Sequence, residues 1–228
     1  MTFHKTKIKK KMIEVVDLDI DYESECKKVF DNKDQWTDRD IFYTFGGSSY
    51  IDSKKEYLRN LRKSNSVLYN SFSGLYKKLS DYFGAELNDS LAYPGFHIFD
   101  EKSHNFSASI HFDTPYLRIP TYNPSFSNPQ SFTILLKKPT YGAGLNVWEK
   151  IDLNKMKPSQ KKQYMDIQKK MVMSLGSPKY IEYELGKMYV HSGDVLHQIA
   201  NTGGEKGDYR ITMQGHIIQD GNKKYMYF

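Results

Sequence analysis

The stretch Ser109-Ile110-His111-Phe112-Asp113-Thr114 holds the side chains best placed to do chemistry. In an extended chain successive side chains alternate faces, so His111 and Asp113 point one way and Phe112 the other. An imidazole nitrogen and a carboxylate oxygen then project side by side. A second imidazole from elsewhere would complete two histidines and one carboxylate on one face of a metal ion, with the opposite face open. That arrangement suits non-haem Fe(II). His-x-Asp alone is a weak signal, because 7 histidines and 17 aspartates supply about half an instance by chance. Context has to decide.

The context lies downstream. The segment Gly186-Lys-Met-Tyr-Val-His-Ser-Gly-Asp-Val-Leu-His197 ends in a histidine, and Arg210, one of five arginines, follows thirteen residues later. If Tyr209–Ile218 is a strand, Arg210, Thr212, Gln214 and His216 share one face, while Ile211, Met213 and Ile217 share the other. Polar groups lined up on an otherwise apolar strand mark the wall of a polar pocket. A guanidinium meets a carboxylate bidentately, and Thr212 adds a hydroxyl. His191 competes with His197 for the second imidazole, but thirteen residues beyond it stands Gly204 rather than an arginine. His97, Trp148, Gln214 and His216 form an outer set that lines the site or orients a ligand. The plain alternatives are core histidines bonded to backbone and a surface ion pair at Arg210.

His111-x-Asp113, then His197, then Arg210 with Thr212 two residues on, resembles the iron(II)/2-oxoglutarate-dependent dioxygenases, over roughly residues 91 to 218. The resemblance implies a double-stranded β-helix (jelly-roll, cupin-like) core. It implies Fe(II) on His111, Asp113 and His197, and 2-oxoglutarate chelating the metal with its far carboxylate on Arg210 and Thr212. With O2 as the third participant, the reaction it implies is oxidative decarboxylation to succinate and CO2 coupled to oxidation of a C–H bond. The family's halogenases carry a small residue where Asp113 stands, so hydroxylation is favoured. The nucleobase-repair branch has a second arginine six residues after the first, where this chain has His216, and collagen-type prolyl hydroxylases use lysine in place of Arg210. Tyr93-Pro94-Gly95-Phe96-His97 ahead of the metal stretch looks more like the branch acting on small molecules such as free amino acids. A peptidyl hydroxylase and a non-catalytic metal-binding jelly roll are the alternatives.

These side chains need a scaffold, and the periodicity supplies one: mainly β with flanking helices. Residues 22 to 33 read as a short helix, and Asp40–Gly46 as a strand entering a glycine turn. Leu68, Phe72, Leu75, Leu79 and Tyr82 recur at steps of four and three, an amphipathic helix ending near Gly84 with its stripe on the core. Strands follow at 96–99, 131–136, 142–148, 179–185, 187–191, 209–218 and 223–228, which with the His111 stretch make about the eight of a jelly roll. Residues 115–129, with four prolines, read as a loop beside the metal stretch and so as a lid over the site. Residues 158–171 read as an inserted surface helix. The domain reading is a basic tail at 1–12 and a single domain at 13–228, helical over 13–90 and jelly roll over 91–228.

The composition narrows the function classes. Hydrophobic residues make up 39% and aromatic residues 14%, too many for a disordered chain. A single cysteine, Cys26, excludes an internal disulfide and a cysteine-based zinc site, and fits a reducing compartment. The sequence has no stretch approaching the roughly 20 apolar residues of a membrane span, and no apolar leader, so a cytoplasmic location is expected. Of the net +6, five charges come from lysines in the first eleven residues, and the rest carries 28 basic against 27 acidic side chains. A solvated tail explains that bias better than a nucleic-acid surface. The expected partner is a small-molecule substrate, with a peptide second.

Overall fold

The computed structural model describes residues 12–103, 106, 108–120, 125–152, 175–203 and 205–228. The basic tail, the helix expected at 158–171 and the middle of the Pro115–Pro129 loop lie outside the described residues. In chain order the elements are β1 (Ile13–Asp17), α1 (Tyr22–Asp31), β2 (Thr37–Asp38), β3 (Tyr43–Phe45), α2 (Lys54–Phe83), β4 (Glu86–Leu87) and β5 (Gly95–Phe99). There follow β6 (Ser127–Lys137), β7 (Gly144–Asp152), β8 (Lys179–Glu182), β9 (Lys187–Ser192), β10 (Val195–Ile199), β11 (Arg210–Asp220) and β12 (Lys223–Tyr227).

Alternation in β11 decides the architecture. Ile211, Met213 and Ile217 are buried against α2, while Thr212, Gln214 and His216 face the other way. β11 lies at the centre of the larger sheet, in the order β1-β9-β6-β11-β5-β3-β2, with β12 and β4 attached beside it. A smaller sheet, β10-β7-β8, covers its inner face. His111 joins that sheet at β10 through a single antiparallel bridge to His197. Four members from each sheet (β9, β6, β11 and β5 against the His111 segment, β10, β7 and β8) make the expected double-stranded β-helix.

The outer face is closed by α2. Its 30 residues open on a capping box, in which Ser53 Oγ accepts the Glu56 N–H and the Glu56 carboxylate accepts the Ser53 N–H. It ends at Gly84, in the left-handed region at φ 60°. Leu68, Phe72, Leu75, Tyr76, Leu79 and Phe83 pack on Phe96, Ile98, Phe132 and Ile134. Each such side chain contributes roughly 1.5–3 kcal/mol by leaving water. No helix among the described residues is long and apolar enough to cross a membrane.

Several sequence expectations need correction. The helix begins fourteen residues before Leu68, its N-terminal half burying Tyr57 and Leu61, a start signalled by the Ser-x-x-Glu box. Tyr82 is exposed and donates to Glu14, while Phe83 takes the inward position against Phe132 at 5.4 Å. The His111 stretch is not a continuous strand. Thr114 N–H turns back onto the Phe112 carbonyl and Pro115 opens a 3-10 turn, so the bridge at His111 does not extend into a ladder and only the Asp113 N–H goes on to pair, with the Gly193 carbonyl. The strand expected to start at Asp40 starts at Tyr43, because Asp40 lies at φ 76° and Ile41 N–H bonds the Arg39 carbonyl. β1, β2, β4 and β10 had no separate forecast.

Candidate metal centre

His111 arrives on its bridge and His197 on β10, and their backbones are mutually bonded. Asp113 is fixed by its own N–H donating to the Gly193 carbonyl at 2.9 Å, in the turn between β9 and β10. A Cβ on Gly193 would lie 2.5 Å from the Asp113 carbonyl oxygen, so this approach needs glycine. His111 Nε2 lies 3.4 Å from Asp113 Oδ1, and His197 Nε2 lies 3.5 Å from Oδ2. One ligand atom from each of the three fits within 4.8 Å of the others. Two donors about 2.1 Å from one ion at right angles would be about 3 Å apart.

Tautomers decide whether the nitrogens can ligate. His111 Nδ1 lies 2.8 Å from the Ser109 carbonyl and His197 Nδ1 lies 2.9 Å from the Val195 carbonyl. A carbonyl only accepts, so each Nδ1 carries the proton and each Nε2 turns a lone pair toward Asp113. Burial pushes Asp113 upward, but His197, His111 and His216 outweigh it and hold the carboxyl well below its usual range. Burial pulls His197 down to about 3, keeping its imidazole neutral. Burial pulls His111 down as well, but the Asp113 carboxylate, which favours a proton on the facing Nε2, outweighs it and raises the value, and a cation binding there has to displace that proton. Neutral imidazole beside ionised carboxylate is the donor set a divalent cation needs.

The outer residues divide. His97, Gln214 and His216 line a cavity of about 390 Å³ in front of the triad. His97 Nε2 is bonded to the Tyr50 hydroxyl at 2.5 Å, and His216 Nδ1 to Ser131 Oγ at 2.9 Å. Burial holds His97 near 3 and His216 near 4. Trp148 is not in the lining. It donates to the Gly176 carbonyl and packs on Phe112 and Leu196, behind the ligands those residues adjoin.

Arg210 and Thr212 lie further along the inner face of β11 than Gln214 and also stand outside the lining. Arg210 is 1% exposed, its guanidinium 5.6 Å from the Phe99 ring and 5.9 Å from the Tyr183 ring. Its one hydrogen bond among the described residues, to the Ala200 carbonyl, is long at 3.4 Å, and burial lowers the guanidinium pKa to about 10. Arg210 Nε and Thr212 Oγ1 are both buried without a partner among the described residues. A buried guanidinium and hydroxyl left unsatisfied side by side fit a carboxylate.

The cavity also holds His191, weighed in the sequence against His197, and two residues that sequence reasoning missed, Tyr50 and Arg118. His191 Nε2 approaches Asp113 Oδ2 to 3.8 Å, with Nδ1 held by the Ser192 carbonyl. Tyr50 and Arg118 stand in the wall, and Arg118 donates to the Tyr50 carbonyl at 3.3 Å. The alternation His191–Ser131–His216 across three neighbouring strands was available only once their register was known.

No protein-family model matches the sequence, and no curated protein does. Solved structures do. An N-substituted L-amino acid dioxygenase from Burkholderia ambifaria AMMD superimposes with a TM-score of 0.57 at 12% identity, over 95% of this chain and 86% of that one. The same protein in complex with alpha-KG gives 0.56 at 11% identity, over the same 95% and 86%. At that identity the likeness establishes the fold: this chain has the double-stranded β-helix architecture of that dioxygenase.

Proposed function

We propose that the chain is an Fe(II)/2-oxoglutarate-dependent dioxygenase that hydroxylates an unactivated C–H bond of a small molecule. The observation that carries this reading is the convergence of two imidazole lone pairs and one carboxylate at one end of a cavity, with a buried, uncompensated Arg210 and Thr212 beyond its other end. When bound, iron, 2-oxoglutarate and O2 supply oxidative decarboxylation to succinate and CO2 coupled to oxygen insertion into a C–H bond. Everything else falls to the chain.

His111, Asp113 and His197 would hold the metal, two imidazoles and one carboxylate being a donor set that suits Fe(II). Arg210 Nε and Thr212 Oγ1 take the far carboxylate of 2-oxoglutarate. Thr212 lies on the same face of β11 as Gln214, which already lines the cavity. Phe99, Leu145 and Ile199 keep water from the intervening space. About 390 Å³ lies within the range that encloses a small molecule. The small-molecule reading is further supported by the related fold of a protein named for acting on N-substituted L-amino acids.

The test is succinate release. Protein loaded anaerobically with Fe(II) and 2-oxoglutarate should form succinate on admission of O2, and Asp113→Ala should not. Equal succinate from both proteins, or none from the wild type with intact metal binding, would sink the proposal.

A further inference from the structure

The cavity has two unlike regions. In the wall, the buried Phe99 and the half-buried Phe42 and Phe106 form an aromatic cluster, with Phe42 stacked on Phe99 at 5.2 Å and Phe106 5.8 Å from Phe99. Toward the exposed side stands Arg118, in the 3-10 turn that follows the metal stretch.

The charges in the lining are few. Among the described residues that line the cavity, Arg118 is the one lysine or arginine and Asp113 the one aspartate or glutamate. Asp113 is surrounded by His111, His191 and His197 and belongs to the metal centre. Arg118 has a single protein acceptor among the described residues, the Tyr50 carbonyl, which occupies only one of five guanidinium donors. That carbonyl is held in place. The Tyr50 hydroxyl is bonded to His97, and the segment before α2 is pinned by the buried ion pair Arg39–Asp52 at 2.6 Å. So one side of the guanidinium is anchored, and the other meets no protein acceptor among the described residues.

An anion satisfies this arrangement and an ammonium does not. A carboxylate at Arg118 gains charge-assisted hydrogen bonds. A free ammonium inside the cavity would lose its water and meet no carboxylate other than the metal ligand. We propose that the substrate is an organic carboxylate with no free ammonium group, its carboxylate held by Arg118 and its apolar portion by Phe42, Phe99 and Phe106. This deepens the oxygenase reading and rests on it for the position of the oxidised carbon. It also departs from the free amino acid named in the sequence reading.

The full chain, loaded with Ni(II) and 2-oxoglutarate, can be titrated calorimetrically with N-acetyl-L-phenylalanine, its carboxamide and L-phenylalanine. The acid should bind at least tenfold more tightly than either of the others, the scale of one charge-assisted pair. Arg118→Gln should weaken the acid about ten- to hundredfold and leave the carboxamide unchanged, and Arg118→Lys should recover part of the loss. A merely structural role for Arg118 would move acid and amide together. Acid and amide binding alike, the free amino acid binding as tightly as its acetylated form, or no acid binding at all would each overturn the proposal. Failure of the wild type to take up 2-oxoglutarate would count against the oxygenase reading instead, and acid against amide on the Ni(II) protein alone would still decide the role of Arg118.

Discussion

His111 and His197 are clamped through their backbones, the N–H of each donating to the carbonyl of the other at 2.9 and 3.0 Å. Their ring centroids are 4.5 Å apart, with the planes tilted by 57°. The two imidazoles are therefore set by main-chain pairing without help from any ion, and their Nδ1 bonds to local carbonyls fix the tautomer as well. A site organised this way binds without first ordering its ligands.

Removing one donor should thus cost affinity and spare the fold. His111→Ala keeps the backbone bridge, and Asp113→Ala keeps the N–H bond to Gly193. Each should lower Ni(II) or Fe(II) affinity by about 100-fold or more, beyond the loss typical of an outer residue. Titration with the unfolding midpoint measured alongside checks both parts. An unchanged affinity would mean that the triad is not the ligand set.

Gly193→Ala tests the approach of the two turns. The added Cβ would meet the Asp113 carbonyl oxygen at 2.5 Å and Pro129 Cβ at 3.0 Å. The backbone must move apart, which should cost roughly 1–3 kcal/mol and tilt the Asp113 carboxylate away from the histidines. Denaturant unfolding and a metal titration should both register the change. Metal affinity equal to wild type would show that Asp113 is positioned by something else.

How much of this was legible before the coordinates follows from sequence distance. The closeness of His111 and Asp113 was legible because two residues apart in an extended segment is a local property, whereas His197 and Arg210 were tied to them only by a family resemblance. The alternation of β11 likewise gave its two faces and therefore α2 as a cover. Tyr50 could not be read, because it meets His97 across 47 residues and sits in no periodic element. His191 was weighed and set aside on its offset, and the register Ser131–His191 brings it back beside Asp113. Trp148 was placed by type, and the structure sets it behind the ligands rather than in the cavity.

The buried histidines predict acid lability of the metal-free protein. Burial holds His97 and His197 near 3 and His216 near 4, against an ordinary 6.5. As pH falls through 6.5 the unfolded chain takes up these protons while the folded chain stays neutral until pH 3 to 4. Each histidine therefore removes about 1.4 kcal/mol of stability per pH unit across that window. His111 works in the opposite sense, since its raised value contributes stability at low pH that is lost as pH rises through it. Asp113 reinforces the acid loss at the lower end, its depressed carboxyl losing its contribution as pH falls below 3.8. Three against one leaves a net fall, and His97→Gln should flatten the slope by one proton. Urea midpoints from pH 7 to 4 measure it; a flat profile would contradict the buried neutral state.

The ion pair beneath the Tyr50 segment carries a stability prediction. Arg39 and Asp52 are 11% and 0% exposed, and Asp52 Oδ2 also accepts from Ser48 N–H and Asn60. Arg39→Ala leaves that carboxylate buried and uncompensated, at a cost of about 3–5 kcal/mol. It should also loosen Tyr50 and so the bond to His97. Asp52→Asn in the Arg39→Ala background should recover part of the loss, and unfolding by denaturant reads it. A loss no larger than that of a surface pair, under about 1 kcal/mol, would refute the account.

Arg210 separates cosubstrate binding from packing. Arg210→Met keeps an unbranched, bulky side chain between Phe99 and Tyr183 and removes a buried charge with no carboxylate partner among the described residues. Replacing such a charge with an apolar side chain of similar volume is often neutral or stabilising, so the unfolding midpoint should hold or rise. The half-saturating concentration of 2-oxoglutarate should rise about ten- to hundredfold, the scale of a charge-assisted pair. Thr212→Val should act in the same direction, more weakly, because a neutral hydroxyl contributes about 0.5–1.5 kcal/mol. Titrating 2-oxoglutarate against succinate formation in the three proteins orders these effects. A variant that folds as well as wild type and saturates at the same concentration would place the carboxylate elsewhere in the cavity.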